Sequence, residues 1–280
     1  MLGWLKRKRR DPKQQLKEML GTATLPSFSA TIARALERLR DPDASVDDIA
    51  DAVAADPGAT AGVIRTVNSS VYALRREVSS LQHAIQLLGR SQVECIVLAL
   101  TAKASLPDKP YREFDAGRFW RAAARRAALA RLLAKRTEPA NANACFTAGL
   151  LLDMAVPLIA EVKGGDYAAL VERWMRGEHD DLAGGERAQL GWDHAEVAGW
   201  LCEMWKFPAP ITDSIGAHHE GVVDIPRAID WVAPLPANDE IDVDALAARV
   251  AADAAISQDE ARALVEEGVT AGDDMAQLFA

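Results

Sequence analysis

Gly149-Leu150-Leu151-Leu152-Asp153-Met154 decides how this 280-residue chain is read. The six residues sit inside an apolar run from Cys145 to Ile159 that has almost no polar face. A helix hydrophobic all round belongs at the centre of a core. A carboxylate in such a helix is costly to bury unpaired, because it loses its hydration. Asp153 therefore demands a partner, and His218, His219 and an arginine from the 118–126 helix are the candidates. Pro157 cannot supply the N–H that would bond the Asp153 carbonyl, so a bend is expected there.

The flanking text is also helical. Pro26 opens a helix carrying Ile32, Leu36 and Leu39 at helical spacing, and Asp41-Pro42-Asp43 ends it. Ser45 caps the next helix, with Ile49 and Val53 inward. Asp56-Pro57 starts another, which Asn68-Ser69-Ser70 closes. Ser80 to Gly89 reads as a further helix, and Ser91-Gln92-Val93-Glu94 as a capping box for the one after it. Strand signals are nearly absent, so the fold class is all-α, and residues 24–106 read as a bundle-like amino-terminal subdomain. The 107–114 stretch holds two prolines and no periodicity, and reads as a linker. A second helical subdomain follows over 115–235. Asp115 caps its long first helix, where Arg118, Arg121 and Arg125 fall on one side at i, i+3 and i+7. That stripe is a solvated face or a dock for an anionic ligand. Gly177 to Gly185 reads as a loop, Asp193 and Glu196 as the capping box of a helix through Trp205, and Ile211 to His218 as a last helix.

Net charge is −9, yet its distribution is uneven. A basic arm over 1–23 precedes the helices, and an acidic tail over 236–280 is expected to pack as one or two peripheral helices. An acidic whole argues against nucleic acid as a partner. Lys6 to Arg10, with Trp4 and Leu5, suggests weak contact of residues 1–10 with a membrane surface. No run of 18 uncharged apolar residues exists, and no secretory signal is present, so a cytoplasmic protein is expected. Cys95, Cys145 and Cys202 lack metal or disulfide spacing and read as buried thiols.

Read in order, the motifs carry a resemblance. They run Leu25-Pro26, Asp41-Pro42-Asp43-Ala44-Ser45, Asp56-Pro57, Val67-Asn68-Ser69-Ser70-Val71-Tyr72 and Ser80-Leu81-Gln82-His83-Ala84-Ile85. Phe119-Trp120, Ala148-Gly149-Leu150-Leu151, Asp193-His194-Ala195-Glu196-Val197 and His218-His219 complete them. Together they resemble the bacterial HDOD family, the HD-related output domain of signalling proteins, over residues 24–235. The resemblance implies two helical subdomains, the second related to HD phosphohydrolases, and a regulatory role. The HD pattern holds a divalent metal with one histidine, a His-Asp pair and a later aspartate, and metal-bound hydroxide attacks a phosphoester. Carried over, those positions are Ala122, Leu152, Asp153 and Pro234. Only Asp153 offers a ligand, so no metal, no cofactor and no catalytic residue are expected. His218 and His219, adjacent on a helix, would point about 100° apart and share one ion poorly.

These readings converge on a non-catalytic, stand-alone signalling protein. It is expected to bind a partner protein or a small anionic ligand through the groove between its subdomains. Asp153, Asp193, His194, His218, His219, Arg121 and Arg125 are the candidate contacts of a relic pocket. The alternative is a metal-dependent phosphohydrolase acting on a nucleotide or phosphoester.

Overall fold

Side-chain caps set most helix starts in the computed structural model, which describes residues 11–21, 24–178, 181–220, 225–237 and 240–277. Lys6 to Arg10, with Trp4 and Leu5, lies outside them. No strand occurs among the described residues. Helix α1 (Pro12–Leu20) starts at Asp11, whose carboxylate accepts from the Lys13 N–H. Ser29, Ser45, Asp56 and Ser80 likewise cap α2 (Ala30–Arg40), α3 (Val46–Ala54), α4 (Pro57–Asn68) and α5 (Leu81–Leu88). Helix α6 (Arg90–Ala104) departs from expectation. It begins two residues early, with Gly89 rather than Ser91 at its N-cap, and has no side-chain cap. Gly89, at φ 79°, ends α5 and starts α6 at once, a backbone state that favours glycine. Glu94 is not part of a capping box and accepts from Arg40 at 2.6 Å.

The second half comprises α7 (Ala116–Thr137), α8 (Ala142–Leu151), α9 (Ala155–Lys163), α10 (Gly165–Met175), α11 (Leu182–Leu190), α12 (His194–Met204), α13 (Ala209–Gly216) and α14 (Arg227–Val232). Helix α8 is the hub and packs against α6, α7, α13 and α14. Its side chains Cys145, Phe146, Leu150 and Leu151 are buried. By length and composition the run from 139 to 163 could cross a membrane, contrary to the count of uncharged residues alone, but 89% of its most apolar 18-residue window is buried inside the protein. It is also two helices rather than one. The expected bend falls at residues 152–154, just before Pro157, which sits in the first turn of α9.

Gly149 lets α8 approach α7 closely. A Cβ there would lie 2.9 Å from the Arg126 carbonyl oxygen and 3.1 Å from the Ala127 Cα, both backbone atoms. Gly149→Ala is therefore expected to destabilise by about 1–3 kcal/mol through overpacking, read as a lower melting temperature. An unchanged value would show that the helices part without cost.

The acidic tail is built into the fold rather than attached at its edge. Helices α15 (Val243–Ala254) and α16 (Gln258–Ala276) form it, and α16 runs along α7 with Ala261, Val265 and Met275 buried. Arg125 forms a two-point pair with Asp273 at 2.7 and 3.0 Å, and Arg136 pairs with Glu260 at 2.6 Å. Helix α1 packs on α12, so residues of the basic arm also join the core through Leu16, Met19 and Leu20.

Candidate functional site

The break between α8 and α9 presents Asp153 to α7, α12 and the turn after α13. The Met154 N–H bonds the Leu151 carbonyl at 3.1 Å, and the Val156 N–H bonds the Asp153 carbonyl at 2.9 Å, so the chain turns tightly around the aspartate. Its Oδ2 accepts from Arg126 Nη1 at 2.5 Å, and Arg126 Nη2 donates to the Leu235 carbonyl at 2.7 Å. Both side chains are nearly inaccessible, at 6% and 3% exposure. The other oxygen, Oδ1, faces His194 Nε2 at 3.3 Å and His218 Nε2 at 3.8 Å.

His194 is placed by the start of α12. Asp193 and Glu196 form the expected capping box, bonding each other's backbone N–H at 2.9 and 3.2 Å. Arg187 pairs with Asp193. The His194 N–H and Nδ1 both meet Glu186 Oε2, at 2.8 and 2.6 Å. Glu186 Oε1 accepts from the Tyr167 hydroxyl at 2.6 Å. Glu186 lies on α11, which corrects the expected 177–185 loop. Asp181 accepts from the Gly184 N–H and starts a helix despite the Gly184-Gly185 pair.

The two adjacent histidines also differ from expectation. Helix α13 ends at Gly216, and residues 217–220 form a turn in which the Glu220 N–H bonds the Ala217 carbonyl at 3.0 Å. Off the helix, the rings are free of the 100° spacing, and their centroids lie 4.0 Å apart. His218 Nδ1 donates to the Ile215 carbonyl at 2.7 Å, and His219 Nε2 lies 3.0 Å from His194 Nε2. One ligating atom each from Asp153, His194, His218 and His219 thus falls within 4.8 Å of the others.

Electrostatics follow from burial and neighbours. Burial alone would raise the Asp153 carboxyl, but the Arg126 charge and the His194 contact hold it well below the usual carboxylate range. Burial opposes a charge on His194, yet Glu186 and Asp153 push its pKa up to about 10. Burial drives His218 well below its ordinary value, and burial with the His194 charge lowers His219 to about 4. Burial and the Glu186 charge hold the Tyr167 hydroxyl far above its usual value.

A cavity of about 330 Å³ opens onto Arg126, Asp153, His194 and His219, with Pro234 in its wall. The HD ligand set does not fit a cation here. Ala122, Leu152 and Pro234 present no lone-pair side chain, and Arg126 already holds Asp153 Oδ2. The expectation that Arg121 and Arg125 reach the pocket is corrected: Arg121 is exposed, and Arg125 is turned to Asp273 on the opposite flank of α7. Arg126 takes that place, since it shares the buried face of Phe119, Leu129 and Leu133. That i, i+3, i+7 pattern was the available signal for Arg126, and Leu182 at i−4 was the signal for Glu186.

A second concavity, of about 450 Å³, lies between the halves. Phe28 stacks on Trp205 at 4.8 Å, Trp205 Nε1 donates to the Pro26 carbonyl at 3.2 Å, and Arg40 Nη2 donates to the Lys206 carbonyl at 2.9 Å. Lys13, Arg40 and Lys206 line it beside these rings.

Solved structures share the fold. A Shewanella amazonensis SB2B protein provisionally named a phosphohydrolase superposes with a TM-score of 0.73 at 21% identity, covering 96% of this chain and 98% of that one. An HDOD domain protein of Geobacter sulfurreducens, of unknown function, gives 0.64 at 21% identity, covering 92% and 98%. A Marinobacter aquaeolei VT8 protein provisionally named for signal transduction gives 0.68 at 22% identity, covering 95% and 65%. In sequence, the chain is 23% identical over 213 residues to an uncharacterized protein of Treponema pallidum (strain Nichols), covering 75% of this chain and spanning only 39% of that relative's length. The HDOD domain matches residues 25–221, and the chain belongs to the HDOD family.

Proposed function

We propose that this chain is a regulatory protein that works by binding rather than by turnover. The observation that carries this reading is Arg126. A permanent guanidinium charge is bonded to Asp153 and to the Leu235 carbonyl, beside a cavity wall where Pro234 stands for a ligating aspartate. A water-activating ion of the HD type has no ligands left on that side. The groove between the halves is the binding surface: stacked aromatic rings flanked by Lys13, Arg40 and Lys206 suit a small anionic ligand with a flat apolar part. The signal-transduction name of the Marinobacter relative agrees with this role.

A melting-temperature screen against nucleotides tests the groove. A rise of several degrees with one of them, lost in Arg40→Ala, is the expected result; no rise with any member of the panel counts against it. The rival reading, hydrolysis of a phosphoester, draws support from the Asp153–histidine cluster and from the Shewanella relative's name. Incubation of the purified protein with bis-p-nitrophenyl phosphate and Mn2+ separates the two, and the regulatory reading expects no release of nitrophenol above buffer.

A further inference from the structure

We infer that Asp153, His194, His218 and His219 form a site for one divalent transition-metal ion, on the opposite side of Asp153 from Arg126. Four donor atoms from three segments, the α8–α9 break, the start of α12 and the turn after α13, lie within 4.8 Å of one another. His219 Nε2 and His194 Nε2 lie 3.0 Å apart, and Asp153 Oδ1 lies 3.3 Å from His194 Nε2 and 3.8 Å from His218 Nε2. Donors about 2.0–2.1 Å from a tetrahedral ion stand roughly 3.3–3.4 Å apart. Three pairs bracket that spacing, and any wider pair, at up to 4.8 Å, would close by about 1.4 Å as the side chains draw in on an ion.

Outer contacts orient the rings as metal ligands require. His194 Nδ1 is tied to Glu186, and His218 Nδ1 donates to the Ile215 carbonyl. Each leaves Nε2 turned toward Asp153, the arrangement that fixes tautomer and ring direction in metal-bound histidines. His218 Nε2 is the independent sign of a missing occupant. It is buried, it has no hydrogen-bond partner, and it faces the aspartate. Buried polar atoms are normally satisfied, and an ion at the centre of the cluster would satisfy this one.

The donor set selects the ion class. Three imidazoles and one carboxylate suit Zn2+, Co2+, Ni2+ or Fe2+, whereas Ca2+ and Mg2+ prefer oxygen. Arg126 confines the site to one ion, because it holds the second Asp153 oxygen that a neighbouring cation would need. His194 and His219 also face the cavity, which gives the ion a path in and leaves room for an anion or water beside it. The inference is independent of the groove between the halves.

Tag-free protein stripped with chelator and titrated with Co2+ and Zn2+ provides the test. One equivalent should bind, Co2+ should give visible absorption of a nitrogen-rich site, and saturating ion should raise the melting temperature by roughly 5–10 °C. His218→Ala and His219→Ala should each weaken binding by at least about 100-fold, since losing even an outer partner of a ligating histidine costs 10–100-fold. Glu186→Gln, which keeps all four donors, should weaken it by about 10–100-fold, and it covers the case in which a histidine variant fails to fold. His83→Ala, at an exposed position, should leave binding unchanged. No bound equivalent, or equal affinity in the histidine variants and the parent, overturns the site. Neither outcome bears on the groove, which the nucleotide screen tests separately.

Discussion

Arg126→Ala is expected to lower the melting temperature by roughly 6–20 °C. The arginine is 3% exposed and supplies the short bond to Asp153 Oδ2. Removing it leaves a buried carboxylate without its main compensating charge. Breaking one partner of a buried pair typically costs about 3–5 kcal/mol, and a protein of this size loses roughly 2–4 °C per kcal/mol. The Leu235 carbonyl loses its donor as well. Pairing the change with Asp153→Asn should return most of the loss, because the uncompensated charge disappears. The measurement is a double-mutant cycle by thermal and denaturant unfolding. Additivity within about 0.5 kcal/mol would mean that the two side chains do not act as a pair.

The second large effect is expected at Glu186. This residue is completely buried and accepts from the Tyr167 hydroxyl, the His194 N–H and the His194 ring. Glu186→Ala orphans all three groups at once. A buried group left without its partner costs about 1–3 kcal/mol, so a loss of at least about 3 kcal/mol is expected even with partial relaxation. Glu186→Gln keeps one acceptor oxygen and should lose less. A loss below about 1 kcal/mol in the alanine variant would show that water replaces the carboxylate and that the Tyr167–Glu186–His194–Asp153–Arg126 chain is not cooperative.

Much of this architecture was legible in the residues. The caps at Ser45, Asp56, Ser80, Asp115 and Asp193 declare their helices, because an oxygen side chain before an apolar run satisfies the first free N–H groups. The buried place of Cys145 to Ile159 followed from the absence of a polar face. An arginine of the 118–126 helix was among the candidate partners of Asp153, but which one depended on rotation. Arg121 and Arg125 stand out because they form a stripe, whereas Arg126 is hidden among the apolar residues of its own face. The turn at 217–220 was not legible, because nothing local ends α13 two residues before His218. Only tertiary packing takes both rings off the helix. Glu186 was missed for a related reason: paired glycines two residues earlier masked a short helix whose cap, Asp181, decides the matter.

The docking of α16 on α7 also constrains how the protein is made. Arg125 and Asp273 are separated by 148 positions. A ribosome adding about 5–20 residues per second needs roughly 7–30 s to deliver the second after the first. Throughout that interval the flank of α7 that later receives Gly268 and Gly272 has no cover, although α8, next in the sequence, can already seal the other flank. The nascent chain thus carries an adhesive strip until α16 emerges, and a shortened version lacking that helix would keep the strip for life.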